Sequence, residues 1–119
     1  MYTIVCYPKC STCRRAVEWL EAHNVPHVYR DIKVDNPTAD ELRTWHLASG
    51  LPLKRFYNTS GMLYRDLNIK ERVVAMGDAQ QYDLLSSDGM LVKRPILISP
   101  TGDVLVGFRE PEWSALLDV

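Results

Sequence analysis

The pattern Cys10-Ser11-Thr12-Cys13 lies where a short strand gives way to an amphipathic helix, and it constrains the fold more than any other stretch. Residues 2–6 are mostly β-branched or aromatic, which is typical of a strand. From Cys13 onward, apolar side chains recur at the three- and four-residue spacing of a helix that buries one face. The two cysteines are therefore expected in a strand-to-helix turn, with Cys10 near the N-cap and Cys13 in the first turn of the helix.

The start of a helix favours an ionised thiol. Its first N–H groups lack intrahelical partners, and the helix dipole has its positive end there. Lys9, Arg14 and Arg15 add positive charge nearby. A cysteine in such surroundings commonly has a pKa lowered to about 3.5–7.5. We therefore expect Cys10 to be the attacking thiolate, and Cys13, on the inward face, to be the thiol that resolves the resulting mixed disulfide.

Other interpretations of the cysteines are weaker. Cys6 ends an apolar strand and is expected to be an ordinary core residue, because cysteine is among the most buried residue types. Together the three cysteines match the C-x3-C-x2-C spacing of a radical iron–sulfur loop, but that chemistry needs a large enclosing barrel. A zinc site lacks a second cysteine or histidine pair at ligand spacing. The three histidines show no metal-binding or catalytic spacing and are expected at the surface.

Length, charge and hydropathy narrow the class of protein. A chain of 119 residues predicts one domain over 1–119. The net charge of -1 gives no basic footprint for direct nucleic-acid binding. No apolar run reaches membrane-spanning length, and the N-terminus lacks the features of a signal peptide. We expect a cytoplasmic protein with no membrane partner, in which a Cys10–Cys13 disulfide would be transient and functional.

The order of the remaining elements predicts an α/β protein with a thioredoxin-like fold, a mixed four-stranded sheet flanked by helices. A strand over 27–32 completes a parallel β-α-β unit with the first helix. Residues 37–88 are interpreted as a helical insertion, in which Thr38 with Glu41 and Asp78 with Gln81 are expected to cap helices. A hairpin of two strands and a last helix that begins at Glu110 follow the insertion.

Two arginines are candidates for an anion site beside Cys10. Arg65 lies within an apolar segment, where a buried charge would need a partner, and Arg94 precedes a proline and a strand. A guanidinium group can hold a tetrahedral oxyanion through two parallel hydrogen bonds. The alternative for each is a surface ion pair, and for Arg109 this alternative is the stronger because Glu110 and Glu112 adjoin it.

Taken together, these residues resemble the arsenate reductase family, including its Spx-type branch. The resemblance covers nearly the whole chain and is carried by Cys10–Ala16, Trp19-Leu20-Glu21, Asn58–Gly61 with Tyr64-Arg65, Lys93-Arg94-Pro95-Ile96 and Val106-Gly107-Phe108. It implies a thioredoxin-like fold with a helical insert, no bound cofactor and no metal.

The resemblance also implies roles for particular residues. Cys10 would be the nucleophile, Arg65 and Arg94 would contribute to an oxyanion site, and Pro95 would be a cis-proline beside the active cysteine. The turn residues Ser11 and Thr12 are expected to add backbone N–H groups to that substrate-binding set.

Two features distinguish the chain within this resemblance. Cys13 is typical of the Spx-type branch and its relatives, and Gly107 stands where the family's third site arginine is expected. Two functions therefore stay open. One is a thiol oxidoreductase acting on an oxyanion or a disulfide, with thioredoxin or glutathione/glutaredoxin as the reductant. The other is a redox-sensing regulator of the Spx type, which would bind the RNA polymerase alpha C-terminal domain.

Overall fold

The computed structural model describes residues 1–119 and contains one sheet of four short strands. The strands are β1 (Tyr2–Cys6), β2 (His27–Asp31), β3 (Ile96–Ile98) and β4 (Val104–Val106), in the spatial order β2-β1-β3-β4. β1 is parallel to β2 and antiparallel to β3, and β3 is antiparallel to β4. This mixed sheet, flanked by helices, confirms the predicted thioredoxin-like arrangement.

The helix that follows β1 is α1 (Ser11–Ala22), which connects two parallel strands as expected. It buries Cys13, Ala16 and Leu20, the apolar positions that the sequence spacing indicated. Asn24, at a φ of 56°, ends the helix in the left-handed conformation, and Pro26 prevents its continuation. The N-terminus of α1 is thereby fixed at the end of β1.

Between β2 and β3 the chain forms short helices and no strand. They are α2 (Ala39–Ser49), α3 (Met62–Asp66), α4 (Ile69–Arg72) and α5 (Asp78–Ser86), with 3-10 turns at Leu53–Phe56, Val73–Ala75 and Gly89–Leu91. The predicted capping box of Thr38 and Glu41 begins α2. The last helix, α6 (Glu110–Leu117), carries Pro111 in its first turn. None of the helices is both long enough and apolar enough to span a membrane.

One predicted cap is wrong. Asp78 was expected to cap a helix with Gln81, but the N-cap of α5 is Gly77, and Asp78 is already helical. The side-chain oxygen of Gln80 accepts a hydrogen bond from the Gly77 N–H at 2.9 Å. This bond satisfies the donor at Gly77 and moves the start of the helix back by one residue.

The core has two parts, one on each face of the sheet. Along β1 the side chains alternate, so that Ile4 and Cys6 pack with α1 while Val5 packs on the opposite face. The α1 face, which we call the cysteine face, also buries Trp113 of α6, whose indole N–H donates to the Gly107 carbonyl at 3.1 Å. The opposite face packs against the segment between β2 and β3. The three cysteines therefore share one face of the sheet.

Candidate functional site

The turn between β1 and α1 places Cys10 at the helix N-cap, as predicted. Its backbone is extended (φ −94°, ψ 120°), and its N–H donates to the Tyr7 carbonyl at 3.0 Å. No side chain caps the helix, so the first N–H groups of α1 are free of a side-chain acceptor. Cys10 is half-buried, whereas Cys13 is 1% exposed. This is the arrangement of an accessible thiol backed by a shielded one.

The sulfur of Cys13 has several donors around it. The backbone N–H of Tyr7 donates to Cys13 Sγ at 3.4 Å. The neighbouring Cys6 thiol, followed by the Tyr7 N–H and the positive charge of Arg94, lowers the pKa of Cys13 and outweighs the opposing effect of burial. The proximity of Cys13, together with burial, raises the pKa of Cys6. Of these two buried thiols, Cys13 is therefore the one that ionises more readily.

The sequence analysis predicted the burial of Cys6 correctly but did not anticipate that Cys6 shares a buried cluster with Cys13. The strand alternation contained the signal, because it places Cys6 on the same face of β1 as Ile4, towards α1. Cys13 is on the apolar face of that helix, so both residues belong to the same buried cluster. All three cysteines are free thiols in the structure.

The Arg94–Pro95 peptide bond is cis, as the resemblance implied. Pro95 is buried, and its carbonyl accepts from the Gly107 N–H at 2.8 Å, which joins the loop before β3 to the end of β4. The guanidinium carbon of Arg94 lies 5.4 Å from the centre of the Tyr7 ring. Arg94 is thus held against the segment that leads into the cysteine turn.

The Arg94 side chain has unused hydrogen-bonding capacity. Its Nη1 is 3.5 Å from the carbonyls of Met90 and Val92, which is the long limit of a hydrogen bond. Its Nε is buried and has no partner. An unmade hydrogen bond at a buried donor costs about 1–3 kcal/mol, and more for a charged group. An anion that accepted from this group would remove that cost.

A cavity of about 220 Å³ adjoins Arg94 and is strongly basic. We call it the basic pocket. Four of its lining residues are cationic and none is acidic; the lining residues are Thr12, Arg55, Lys93, Arg94, Val106, Gly107, Phe108 and Arg109. Arg109 also lies 3.6 Å from Glu112, the ion pair that the sequence favoured. Because Thr12 is in the first turn of α1, the basic pocket lies beside the start of that helix, where anions are favoured.

The burial predicted for Arg65 is wrong. The segment around it forms the short helix α3, and Arg65 is exposed together with Asp66 and Leu67. Arg65 does not line the basic pocket, whereas Arg94 and Thr12 do. The helical period explains the difference, since Leu63 and Tyr64 pack against the core and turn the next residues outward. The predicted role of Arg65 in catalysis stays a prediction.

A second cavity, of about 380 Å³, lies between α1 and β2 and includes Cys13 in its lining. Its walls are partly aromatic and its rim carries both charges; the lining residues are Tyr7, Pro8, Cys13, Arg14, Val17, Glu18, Glu21 and Tyr29. Burial, reinforced by the nearby cysteines, raises the pKa of Tyr29 to about 12, so its phenol stays neutral. Cys13 therefore lines this second cavity, which shares no lining residue with the basic pocket.

The chain is a protein of thioredoxin-like fold that contains a C-x-x-C turn at the start of α1 and a cis-proline before β3. More specifically, the chain belongs to the ArsC family, whose model matches residues 5–116.

Three relatives show the range of the similarity. The chain is 47% identical over 111 residues to "Uncharacterized protein YusI" of Bacillus subtilis (strain 168), covering 93% of each chain. It is 27% identical over 112 residues to the "Global transcriptional regulator Spx" of Staphylococcus saprophyticus, covering 94% of this chain and 83% of that one. A solved structure, named "a possible arsenate reductase" from Streptococcus mutans UA159, superposes with a TM-score of 0.87 and 41% identity, covering 96% of this chain and 98% of that one.

Proposed function

We propose that this protein is a thiol-dependent oxidoreductase in which Cys10 is the nucleophile and Cys13 the resolving thiol. The observation that carries the proposal is the pairing of the half-buried Cys10, at an uncapped helix start, with a buried Cys13 whose sulfur accepts from the Tyr7 N–H. An attacking thiol needs access, and a resolving thiol should be shielded until the mixed disulfide has formed. Cys10 meets the first requirement and Cys13 meets the second.

With a disulfide substrate, the reaction is two successive exchanges. The Cys10 thiolate attacks one substrate sulfur and displaces the other as a thiolate, which leaves a mixed disulfide on Cys10. The Cys13 thiolate then attacks the Cys10 sulfur and releases the second substrate thiolate. The substrate gains two electrons, and the protein is left with a Cys10–Cys13 disulfide. A dithiol such as thioredoxin, or two glutathione molecules acting directly or through glutaredoxin, returns those electrons.

The basic pocket supports an anionic substrate. Arg94 offers a buried donor without a partner, and Arg55 and Lys93 add charge from neighbouring segments. An oxyanion such as arsenate, or a disulfide with carboxylate groups, would accept from these donors and from the N–H groups at Ser11 and Thr12. The name of the Streptococcus mutans relative is consistent with an oxyanion substrate. The C-x-x-C turn is consistent with a disulfide substrate.

The test is to trap the intermediate. Purified Cys13→Ser protein should retain substrates on Cys10 as stable mixed disulfides, whereas Cys10→Ser protein should retain none. Wild-type protein and both variants are then assayed with arsenate and with a carboxylate-bearing disulfide, using thioredoxin or glutathione/glutaredoxin as the electron source. Reduction of neither substrate by wild-type protein, with no adduct on Cys13→Ser, would refute the enzyme function.

A redox-sensing regulator is the second candidate. It is favoured by the similarity to Spx, which extends over 94% of this chain. In this function the Cys10–Cys13 disulfide would change the surface around the α1 start and with it the binding of the RNA polymerase alpha C-terminal domain. Calorimetric titration of that domain with reduced and with oxidised protein distinguishes the candidates, because an enzyme without this role gives no binding in either state. Both candidates are cytoplasmic functions.

A further inference from the structure

The basic pocket continues into a neighbouring cavity of about 300 Å³, which we call the outer cavity. The two spaces adjoin, because Arg55 and Lys93 line both of them. The lining residues of the outer cavity are Pro52, Lys54, Arg55, Tyr57, Thr59 and Lys93. Thr12, in the first turn of α1, lines only the basic pocket, and Lys54 lines only the outer cavity. Together the two cavities form a groove that leads away from the cysteine turn, and we call it the basic groove.

The charge of the basic groove differs from that of the whole chain. The protein has 14 lysines and arginines and 15 acidic residues, yet five cations and no acid line the groove. Arg109 has a carboxylate within 4 Å, whereas the other four have none: Lys54, Arg55, Lys93 and Arg94. Cations held together without counter-ions repel one another, and a cleft lined by one sign of charge concentrates its field. An anionic ligand in the groove would relieve this repulsion.

The extent of the groove indicates what kind of anion it suits. A single oxyanion beside Arg94 would occupy only the end near α1 and leave Lys54 without a partner. An extended acidic polypeptide can meet the cations of both cavities, because its side chains recur about every 3.3 Å along the chain. Tyr57 and Phe108 also place apolar surface among the cations, which suits peptide side chains. The net charge of -1 opposes a long, uniformly charged nucleic acid.

We propose that the basic groove binds an acidic stretch of a partner protein and thereby presents a disulfide beside that stretch to Cys10. The proposal rests on the proposed function and names its substrate class, a protein disulfide flanked by aspartate or glutamate residues. Cys10 attacks one substrate sulfur and the other leaves as a thiolate; Cys13 then attacks the Cys10 sulfur and releases the first. The substrate disulfide gains the two electrons that the Cys10–Cys13 dithiol loses. The groove residues bind carboxylates and form no bond to sulfur.

Two synthetic peptides test this substrate class. Both contain the same disulfide, which is followed by four glutamates in the acidic peptide and by four glutamines in the neutral peptide. At an ionic strength of about 0.01 M, reduced wild-type protein should reduce the acidic peptide about tenfold faster, because each exposed pair of opposite charges contributes a factor of about 1.4 to 5. The ratio of the two rates should approach one at about 1 M salt, where the Debye length falls from about 30 Å to about 3 Å.

A pair of charge reversals places the effect in the groove. Lys54→Glu should lower the acidic-to-neutral ratio about fivefold or more, since it replaces an attraction by a repulsion. Lys33→Glu is the matched control, because Lys33 is also exposed and lines neither cavity, while the change in net charge is identical. It should change the ratio less than about twofold. Equal rates for the two peptides with wild-type protein at low salt, or equal lowering of the ratio by both variants, would overturn the proposal.

Binding can be measured apart from the thiol chemistry. A fluorescent acidic peptide with serines in place of its cysteines should bind wild-type protein at low salt and bind Lys54→Glu more weakly, as fluorescence anisotropy would show. If this peptide binds but neither disulfide peptide is reduced, the proposed function fails and the groove remains a site for an acidic segment. If both disulfide peptides are reduced equally and the fluorescent peptide does not bind, the groove proposal fails and the proposed function remains. Tighter binding of a single-stranded oligonucleotide than of the acidic peptide would overturn the choice of partner.

Discussion

The two faces of the sheet differ in what they bury and in what they contribute. The cysteine face packs against α1 and α6 and contains seven buried residues, including Cys6 and Cys13. The opposite face packs against the segment between β2 and β3 and contains fifteen, none of which is a cysteine. The larger apolar cluster therefore contributes most of the stability, while the smaller one holds the thiols in place. Four predictions test this division of roles.

The largest effect is expected for the nucleophile. Cys10→Ser should abolish mixed-disulfide formation with a disulfide substrate, because an alcohol does not ionise near neutral pH and cannot replace the thiolate. Its thermal stability should stay close to that of wild type, since Cys10 is only partly enclosed. Mass spectrometry checks the loss of the mixed disulfide, and a melting curve checks the thermal stability. An adduct of normal yield on the serine variant would show that another cysteine is the nucleophile.

The two clusters can next be compared by the same truncation on each face. Leu20→Ala on the cysteine face and Leu85→Ala on the opposite face each remove a fully buried leucine, and each should cost about 2–5 kcal/mol of unfolding free energy. Only Leu20→Ala should also slow the resolution by Cys13, because Leu20 shares the cluster of Cys13. Denaturant unfolding measures the loss of stability, and the rate at which Cys13 releases a thiol from a mixed disulfide on Cys10 measures the resolving step. Equal slowing by both variants would remove the distinction between the faces.

Arg94 and Arg65 provide a smaller contrast, between a half-buried arginine and an exposed one. Arg94→Lys should weaken binding of sulfate or arsenate about tenfold or more, because an ammonium group cannot reproduce the bidentate contact and a charged hydrogen bond contributes about 1.5–3 kcal/mol. Arg65→Lys should have little effect, since Arg65 lies outside the basic pocket. Isothermal titration with each anion decides between them. Weaker anion binding in Arg65→Lys than in Arg94→Lys would indicate that Arg65 belongs to the anion site.

The sequence predicted the features that depend on neighbouring residues. The strand before Cys10, the N-cap position of Cys10, the capping box of α2 and the hairpin after β3 all follow from local spacing and from turn-forming residues. Features that depend on the packing of distant segments were missed. The shared cluster of Cys6 and Cys13 requires β1 and α1 to meet, and the exposure of Arg65 depends on which side of α3 contacts the core.

The basic pocket could be predicted only in part for the same reason. Arg94 was identified because it adjoins a proline and a strand. Arg55 and Lys93 had no local signal, and they join the pocket because a 3-10 turn and the loop before β3 converge there.

The smallest predicted effect concerns an ion pair between β2 of the sheet and α2, a helix that packs on the opposite face. Glu41 of α2 accepts two hydrogen bonds from Arg30 of β2, one of them at 2.8 Å, and this pairing lowers the pKa of Glu41 to about 2. A carboxyl group whose pKa is depressed by folding adds stability above its unfolded pKa of about 4.3, and that stability is lost as the pH falls towards the folded value. Solvent reaches about a third of the Glu41 side chain, so the contribution should not exceed about 1 kcal/mol.

Glu41→Gln should therefore have a lower free energy of unfolding than wild type near pH 7. This difference in stability should shrink as the pH falls from about 4.3 towards about 2. Asp35→Asn is the matched control, because Asp35 also contacts Arg30, at 3.3 Å, but is 72% exposed and should change stability very little. Urea unfolding at a series of pH values measures both variants. The thiol chemistry of Cys10 should be unaffected in each, since the ion pair lies away from the cysteine face. A slower Cys10 reaction in Glu41→Gln would mean that the opposite face does influence the thiols, and the division of roles between the faces would have to be abandoned.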